Sequence, residues 1–147
     1  MTYLTFQLHN EVFAAKVEQI LEVLSEYEIS EVPDAPIYIE GVINYRGDII
    51  PAVNFRKKFM FPEKSKTSKQ IIVFDISEQG KNIKFGAIVD KVKNVYETTE
   101  LKERPEFGSK YNPEYIEGMI TQNNDFIMLL NIKKIFTDTE IHILTEV

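Results

Sequence analysis

Residues 36–59 read PIYIEGVINYRGDIIPAVNFRKKF, and residues 113–136 read PEYIEGMITQNNDFIMLLNIKKIF. At this offset of 77, eleven of 24 positions are identical, among them Tyr38/Tyr115, Glu40/Glu117, Gly41/Gly118, Asn54/Asn131 and Phe59/Phe136. Average residue usage gives about one or two matches over such a length. A second match lies upstream at an offset of 72, where residues 13–23 (FAAKVEQILEV) align with residues 85–95 (FGAIVDKVKNV). Phe13/Phe85, Ala15/Ala87, Val17/Val89 and Val23/Val95 are identical there, and Glu18/Asp90 and Ile20/Val92 are close. The blocks keep their order, so the chain reads as two copies of one unit, the first over about 1–60 and the second over about 70–137. Between them lies a polar, lysine-rich join at about 61–70, and a short C-terminal tail covers 138–147. A unit of about 60 residues buries too little surface to be stable alone, so the two copies are expected to share one apolar core and to meet in a groove.

Most segments read as short strands. Tyr3–Leu8, Ile71–Ile76, Ile83–Val89 and Phe126–Leu130 are rich in β-branched and aromatic residues and end in turn chemistry. Turns are expected at His9-Asn10-Glu11, Arg46-Gly47-Asp48, Glu78–Asn82 and Gln122–Asp125, where Gly and Asn supply positive φ. Gly47 aligns with Asn124, and both residues tolerate the left-handed region. Val17, Ile20, Leu21 and Leu24 have helical spacing, but their counterpart in the second copy is β-rich, so the region reads as a strand interrupted by a bend. Short helices are expected at Pro36–Glu40, Pro113–Glu117 and Ile132–Phe136. Many short strands with few helices point to small barrels or sandwiches.

The 147 residues contain no cysteine and two histidines, His9 and His142. That composition removes disulfides, thiolate nucleophiles and cysteine-based metal sites. No phosphate loop, dinucleotide fingerprint, nucleophile elbow or H-E-x-x-H occurs, and the Gly108-Ser109-Lys110 triplet lacks the rest of any such motif. The reading is therefore of a non-enzyme without cofactor or metal; the enzymatic alternative is a carboxylate pair in the groove between the units. The start of the chain has neither a basic nor a long apolar region, and no apolar run reaches bilayer length, which implies a cytosolic protein. The net charge of −6 argues against nucleic acid as a partner. One stretch is locally opposite: Arg56, Lys57, Lys58, Lys64, Lys66 and Lys69 face only Glu63, so Arg56–Lys69 carries +5 and the rest −6 − 5 = −11. It is either a solvated linker or an electrostatic handle for an acidic partner. Val32-Pro33-Asp34-Ala35-Pro36 reads as a turn, with a polyproline ligand as the other possibility.

Where the copies differ, function is a possible cause. Arg46 has Asn123 as its counterpart, and Glu22 has Asn94. The first copy keeps both charges and the second keeps neither, which suggests a Glu22–Arg46 ion pair that places a guanidinium for a partner.

These residues also carry a family resemblance. Val32–Pro36, the block Ile39-Glu40-Gly41-Val42-Ile43-Asn44-Tyr45-Arg46-Gly47-Asp48-Ile49-Ile50-Pro51 and Phe55-Arg56 resemble the signature of the CheW family of chemotaxis coupling proteins. Ile20-Leu21-Glu22-Val23, Phe85–Val92 and Ile127–Ile132 match its pattern too, so the resemblance runs from about Tyr3 to Phe136. It implies one CheW-like domain over 1–147 that is mainly β: two SH3-like five-stranded β-barrel subdomains around a shared core, with short helices. It implies no catalysis. The implied partners are the regulatory domain of the histidine kinase CheA and the cytoplasmic tip of methyl-accepting chemoreceptors, at receptor arrays on the inner face of the membrane and without membrane insertion. Family receptor-binding positions fall on Ile20, Glu22, Gly41, Arg46 and Gly47. Kinase contact is expected on the second subdomain, where Gly118 sits at a sensitive position. Asn54 and Asn131 depart from the family's usual Asp, and His9 stands where Gly is common. No receiver domain is visible, which points away from the two-domain CheV type. A CheW-like scaffold in a non-chemotaxis two-component system stays open as the alternative.

Overall fold

A computed structural model describes residues 1–63, 69–77, 80–98, 100–103, 113–122 and 125–146. Residues 64–68 of the join, the Gly108-Ser109-Lys110 triplet, Glu78-Gln79 and Asn123-Asn124 lie outside the described residues.

Among the described residues, ten strands form two five-stranded sheets. In chain order they are β1 (Thr2–Leu8), β2 (Glu11–Lys16), β3 (Ile20–Leu24), β4 (Ile39–Tyr45), β5 (Asp48–Asn54), β6 (Gln70–Asp75), β7 (Lys84–Val89), β8 (Lys91–Glu97), β9 (Ile116–Gln122) and β10 (Asp125–Leu130). The terminal sheet has the order β8-β1-β2-β10-β9, and the central sheet has the order β3-β6-β7-β5-β4. Within each, neighbours are antiparallel except β10 with β2 and β5 with β7, which are parallel.

The duplication is written into these registers. Ile43 faces Ile50 across the first hairpin, and Ile120 faces Ile127 across the second. Ala52 pairs with Gly86, and its counterpart Leu129 pairs with Ala14. The same register shift recurs at Ile39/Gly41 and at its counterpart, opposite Leu129/Leu130. Even the isolated bridges repeat: Ser30 with Val42, and Lys102 with Met119.

The sheets nevertheless divide the chain differently from the copies. The central sheet joins β3–β5 of the first copy to β6–β7 of the second, and the terminal sheet joins β1–β2 of the first to β8–β10 of the second. Each copy lends its opening hairpin to the other. The chain crosses between sheets at Val17–Gln19, a single 3-10 turn, and at Asp90, which follow equivalent strands of the two copies. The join at 61–70 connects two members of the central sheet rather than one sheet to the other.

This exchange explains the composition of the inner strands. A strand that buries both faces reads as an apolar run. In β6, Ile72 and Phe74 point to the core shared by both sheets, and Ile71 and Val73 point to a cluster of the central sheet's own. The shared core contains Phe6 and Phe13 from one sheet with Phe74 and Phe85 from the other, bridged by Phe55, Phe59 and Phe136. Their ring centroids stand 5.1–6.4 Å apart, as offset and edge contacts require. The terminal sheet has its own cluster too, built from Tyr3, Ala14, Ile120, Ile127 and Leu129.

The helical segments differ from the expectation. Pro36–Glu40 closes only a turn, with Ile39 N–H donating to Pro36 O at 2.9 Å, because β4 already begins at Ile39. Pro113–Tyr115 and Ile132–Lys134 are single 3-10 turns. Two α-helices are additional: α1 (Phe55–Lys58), capped by the Asn54 side chain, and α2 (Asp138–Glu146). The segment expected as a tail thus forms a helix, which starts in a capping box between Thr137 and Glu140.

Candidate partner-binding face

Glu22 and Arg46 meet on the central sheet. Glu22 lies on β3, one edge of that sheet, and Arg46 lies in the turn that leaves β4, the other edge. Arg46 and Gly47 have φ of 51° and 91°, the primed geometry that suits a two-residue hairpin. The Gly47 N–H donates to Asn44 Oδ1 at 2.9 Å, which fixes the turn. The guanidinium then reaches back across the opening between the edges. Arg46 Nη2 and Nε donate to Glu22 Oε1 at 2.9 and 3.2 Å, and the Tyr45 hydroxyl donates to the same oxygen at 3.1 Å. The guanidinium carbon also stands 5.7 Å from the Tyr45 ring centroid.

The pair stays at the surface, with side-chain exposures of 75% for Arg46 and 37% for Glu22. The Arg46 and Tyr45 hydrogen bonds hold the Glu22 carboxyl below the usual range, and Glu22 in turn pushes Arg46 up. Solvent screens an exposed pair of this kind, so it adds little to stability. Its effect is geometric: it presents a charged, planar donor group in one orientation. Beside it is a groove of about 210 Å³, lined by Leu24, Tyr27, Ile43 and Asn44 together with Glu26 and Glu28.

The other expected positions fall in different settings. Ile20 begins β3 opposite Phe74 and is partly buried against the shared core, as are Val17, Val23, Val92 and Met128. Gly47 is exposed, and a side chain there would meet nothing within 4 Å. Gly41 is buried: a Cβ would stand 2.1 Å from the Ser30 carbonyl oxygen, on a φ of 153°. It therefore offers a partner no surface and acts by letting Ser30 pair with Val42 along the β4 edge. Gly118 is its buried counterpart, where an added Cβ would stand 2.6–2.9 Å from the Leu101 side chain. Tyr45, the third member of the Glu22 cluster, is a candidate site residue that the sequence reading did not single out; its place directly before Arg46 is the one signal the chain offers for it.

The basic stretch is neither a solvated linker nor a free handle over its described part. Arg56 is 4% exposed and grips Asp90 with two hydrogen bonds, Nε to Oδ1 at 2.6 Å and Nη2 to Oδ2 at 2.5 Å, while Nη1 donates to Pro62 O. Asp90 also accepts from His9 N–H at 2.8 Å. Burial pushes the Asp90 carboxyl up, but these bonds outweigh it and hold the group below its ordinary value. Lys57 pairs with Glu40, Lys58 with Glu140 and Lys69 with Glu63. Lys64 and Lys66 lie outside the described residues.

The departures are also accommodated. Buried Asn54 donates through Nδ2 to both Glu40 and Glu63 at 2.9 Å, which an aspartate cannot do. His9 adopts φ 58° and stacks on Phe61 with a centroid distance of 5.5 Å. Among the described residues, no group of three or more His, Asp or Glu could hold a metal, and no helix is long and apolar enough to cross a membrane.

This arrangement of sheets and edges coincides with a known family. The family model of the CheW-like domain matches residues 2–140. The chain belongs to the CheW family. The chemotaxis protein CheW of Thermotoga maritima is 31% identical over 140 residues, covering 92% of this chain and 87% of that protein. CheW of Treponema pallidum is 26% identical over 144 residues, covering 93% and 82%. Among solved structures, the scaffolding protein TtCheW from Thermoanaerobacter tengcongensis superposes with a TM-score of 0.79 at 28% identity, covering 88% of each chain. The CheW fold is mainly β here as there, with two sheets on one core.

Proposed function

We propose that this CheW-family chain is a non-catalytic adaptor that couples methyl-accepting chemoreceptors to the regulatory domain of the histidine kinase CheA, working in the cytoplasm at receptor arrays. The observation that carries the reading is the Glu22–Arg46–Tyr45 cluster. Two side chains converge on one Glu22 carboxylate oxygen at the surface, where they do little for the fold and much for the orientation of Arg46. Glu22, Arg46, Gly47 and Ile20 form the receptor-binding face in this reading, and Gly41 shapes the strand beneath them. The kinase contacts the second-copy side of the molecule, where Gly118 plays the shaping role.

An adaptor without chemistry transmits a signal only through contacts that differ between the states of its partner. Arginine suits this task, because its planar fork binds a carboxylate or carbonyl pair in one geometry. Arg46→Glu is expected to abolish receptor-dependent activation of the kinase while leaving the melting temperature unchanged. Glu22→Gln is expected to weaken activation less, since Arg46 remains but loses its orientation. A reconstituted phosphorylation assay with receptor, kinase and adaptor measures both. Wild-type activation by the Arg46→Glu protein would refute the assignment.

A further inference from the structure

Helix α2 is not part of the duplication, since the second repeat block ends at Phe136 and α2 begins at Asp138. It covers a place where the two copies meet. Tyr38 and Tyr115 are counterparts in the repeat, and the Lys58 ammonium lies between them, 5.2 Å from one ring centroid and 5.4 Å from the other. The Phe136 ring, at 5.6 Å, completes an aromatic seat for this cation. The Lys58 side chain is only 7% exposed, and the carboxylate that answers it comes from α2: Glu140 Oε2 stands 3.1 Å from Nζ. Glu140 also bonds to the Tyr38 hydroxyl and closes the capping box with Thr137. One turn further on, Leu144 is the buried residue of α2, and it enters the shared core.

The attachment is thus two-pointed, a carboxylate on a caged cation and a leucine in the core. A nine-residue helix has no stability of its own in water. The sheets, in contrast, are tied together by interleaved strands and by the Arg56–Asp90 pair, neither of which involves α2.

We propose that α2 is a detachable strap: it leaves its seat as a unit while both sheets stay folded, and the Lys58–Glu140 contact sets how often it does so. When it leaves, it uncovers a cation framed by two repeat-related tyrosines.

Hydrogen exchange read by mass spectrometry on the full chain tests this. In the wild type, amides of α2 are expected to exchange faster than those of β6 and β7 by about two orders of magnitude or more. Glu140→Gln is expected to speed α2 by about tenfold or more, the scale of a lost charge-assisted hydrogen bond, with β6 and β7 unchanged. Leu144→Ala gives a second route to the same selective effect. The combination Lys58→Met with Glu140→Gln guards against a buried lysine left without its partner, and it too should accelerate only α2. Exchange of α2 at the rate of the sheets in the wild type, or equal acceleration of helix and sheets in all three variants, would overturn the proposal.

Discussion

At the scale of single residues, two ion pairs of similar appearance have opposite roles. Glu22–Arg46 is exposed and adds little to stability, so its substitution is read in partner assays. Arg56–Asp90 is buried at the point where the chain crosses from the central to the terminal sheet. Replacing Asp90 by Ala leaves a buried guanidinium without its carboxylate, and a loss of about 3–5 kcal/mol is expected in chemical denaturation. The pH dependence follows from the depressed Asp90 value. In the unfolded chain Asp titrates near about 3.9, and in the folded state lower. The native state therefore binds fewer protons in that range. The pair's contribution is complete above pH of about 4 and is lost as the pH falls through the folded value below it. Urea midpoints measured downward from neutral pH should fall in that acid range, and the fall should be smaller in the Asp90→Asn protein, which lacks this titration.

At the scale of elements, the glycines sort by what surrounds them. Gly41→Ala puts a methyl group onto a backbone oxygen in a φ region hostile to side chains, and a loss of about 3 kcal/mol or more is expected. Gly118→Ala meets the Leu101 side chain, Cγ and both methyl groups, rather than backbone, so its cost should be smaller than that of Gly41→Ala. Gly47→Ala meets nothing and should cost about 1 kcal/mol through φ alone. Thermal denaturation of the three proteins tests that order. Much of this level was legible in the sequence. Strands β1, β6, β7 and β10 follow from apolar runs bounded by turn residues, and the repeat revealed that Gly41 and Gly118 are equivalent. The helices were less legible for physical reasons. A single 3-10 turn leaves no periodicity to detect. Helix α1 is only four residues held by a side-chain cap, and α2 shows its start only in the Thr137–Glu140 capping box. The role of the basic stretch was hidden because its partners Asp90, Glu40 and Glu140 lie far away in sequence or on other elements.

At the scale of the whole molecule, duplication and exchange together place strands of both copies in each sheet. The repeat was visible as matching residues, but which hairpin pairs with which sheet is a matter of long-range register that no local pattern encodes. The consequence is testable with fragments. Residues 1–63 lack β6 and β7, so β3 and β5 lose their inner neighbours, and residues 69–147 lack β1 and β2, so β8 and β10 lose theirs. Each fragment alone is expected to be unfolded by circular dichroism, and an equimolar mixture is expected to regain the β signature. A fragment that folds alone would show that the copies are independent after all. Exchange also gives the chain two sheets of like strand order, each built from both copies. The same strand order recurs on both sheets, with Glu22 and Arg46 on one of them only, so two related surfaces need not bind the same partner.

In the proposed function one face, organised by Arg46, binds the receptor while the kinase binds elsewhere. Calorimetric titration tests it most directly, with the wild type and the Arg46→Glu protein each titrated with the CheA regulatory domain and with a receptor cytoplasmic-tip fragment. Saturable one-to-one binding of both partners by the wild type is expected, with loss of the receptor fragment alone in the variant. Binding of neither partner by the folded wild type, or undiminished receptor binding by Arg46→Glu, would contradict it.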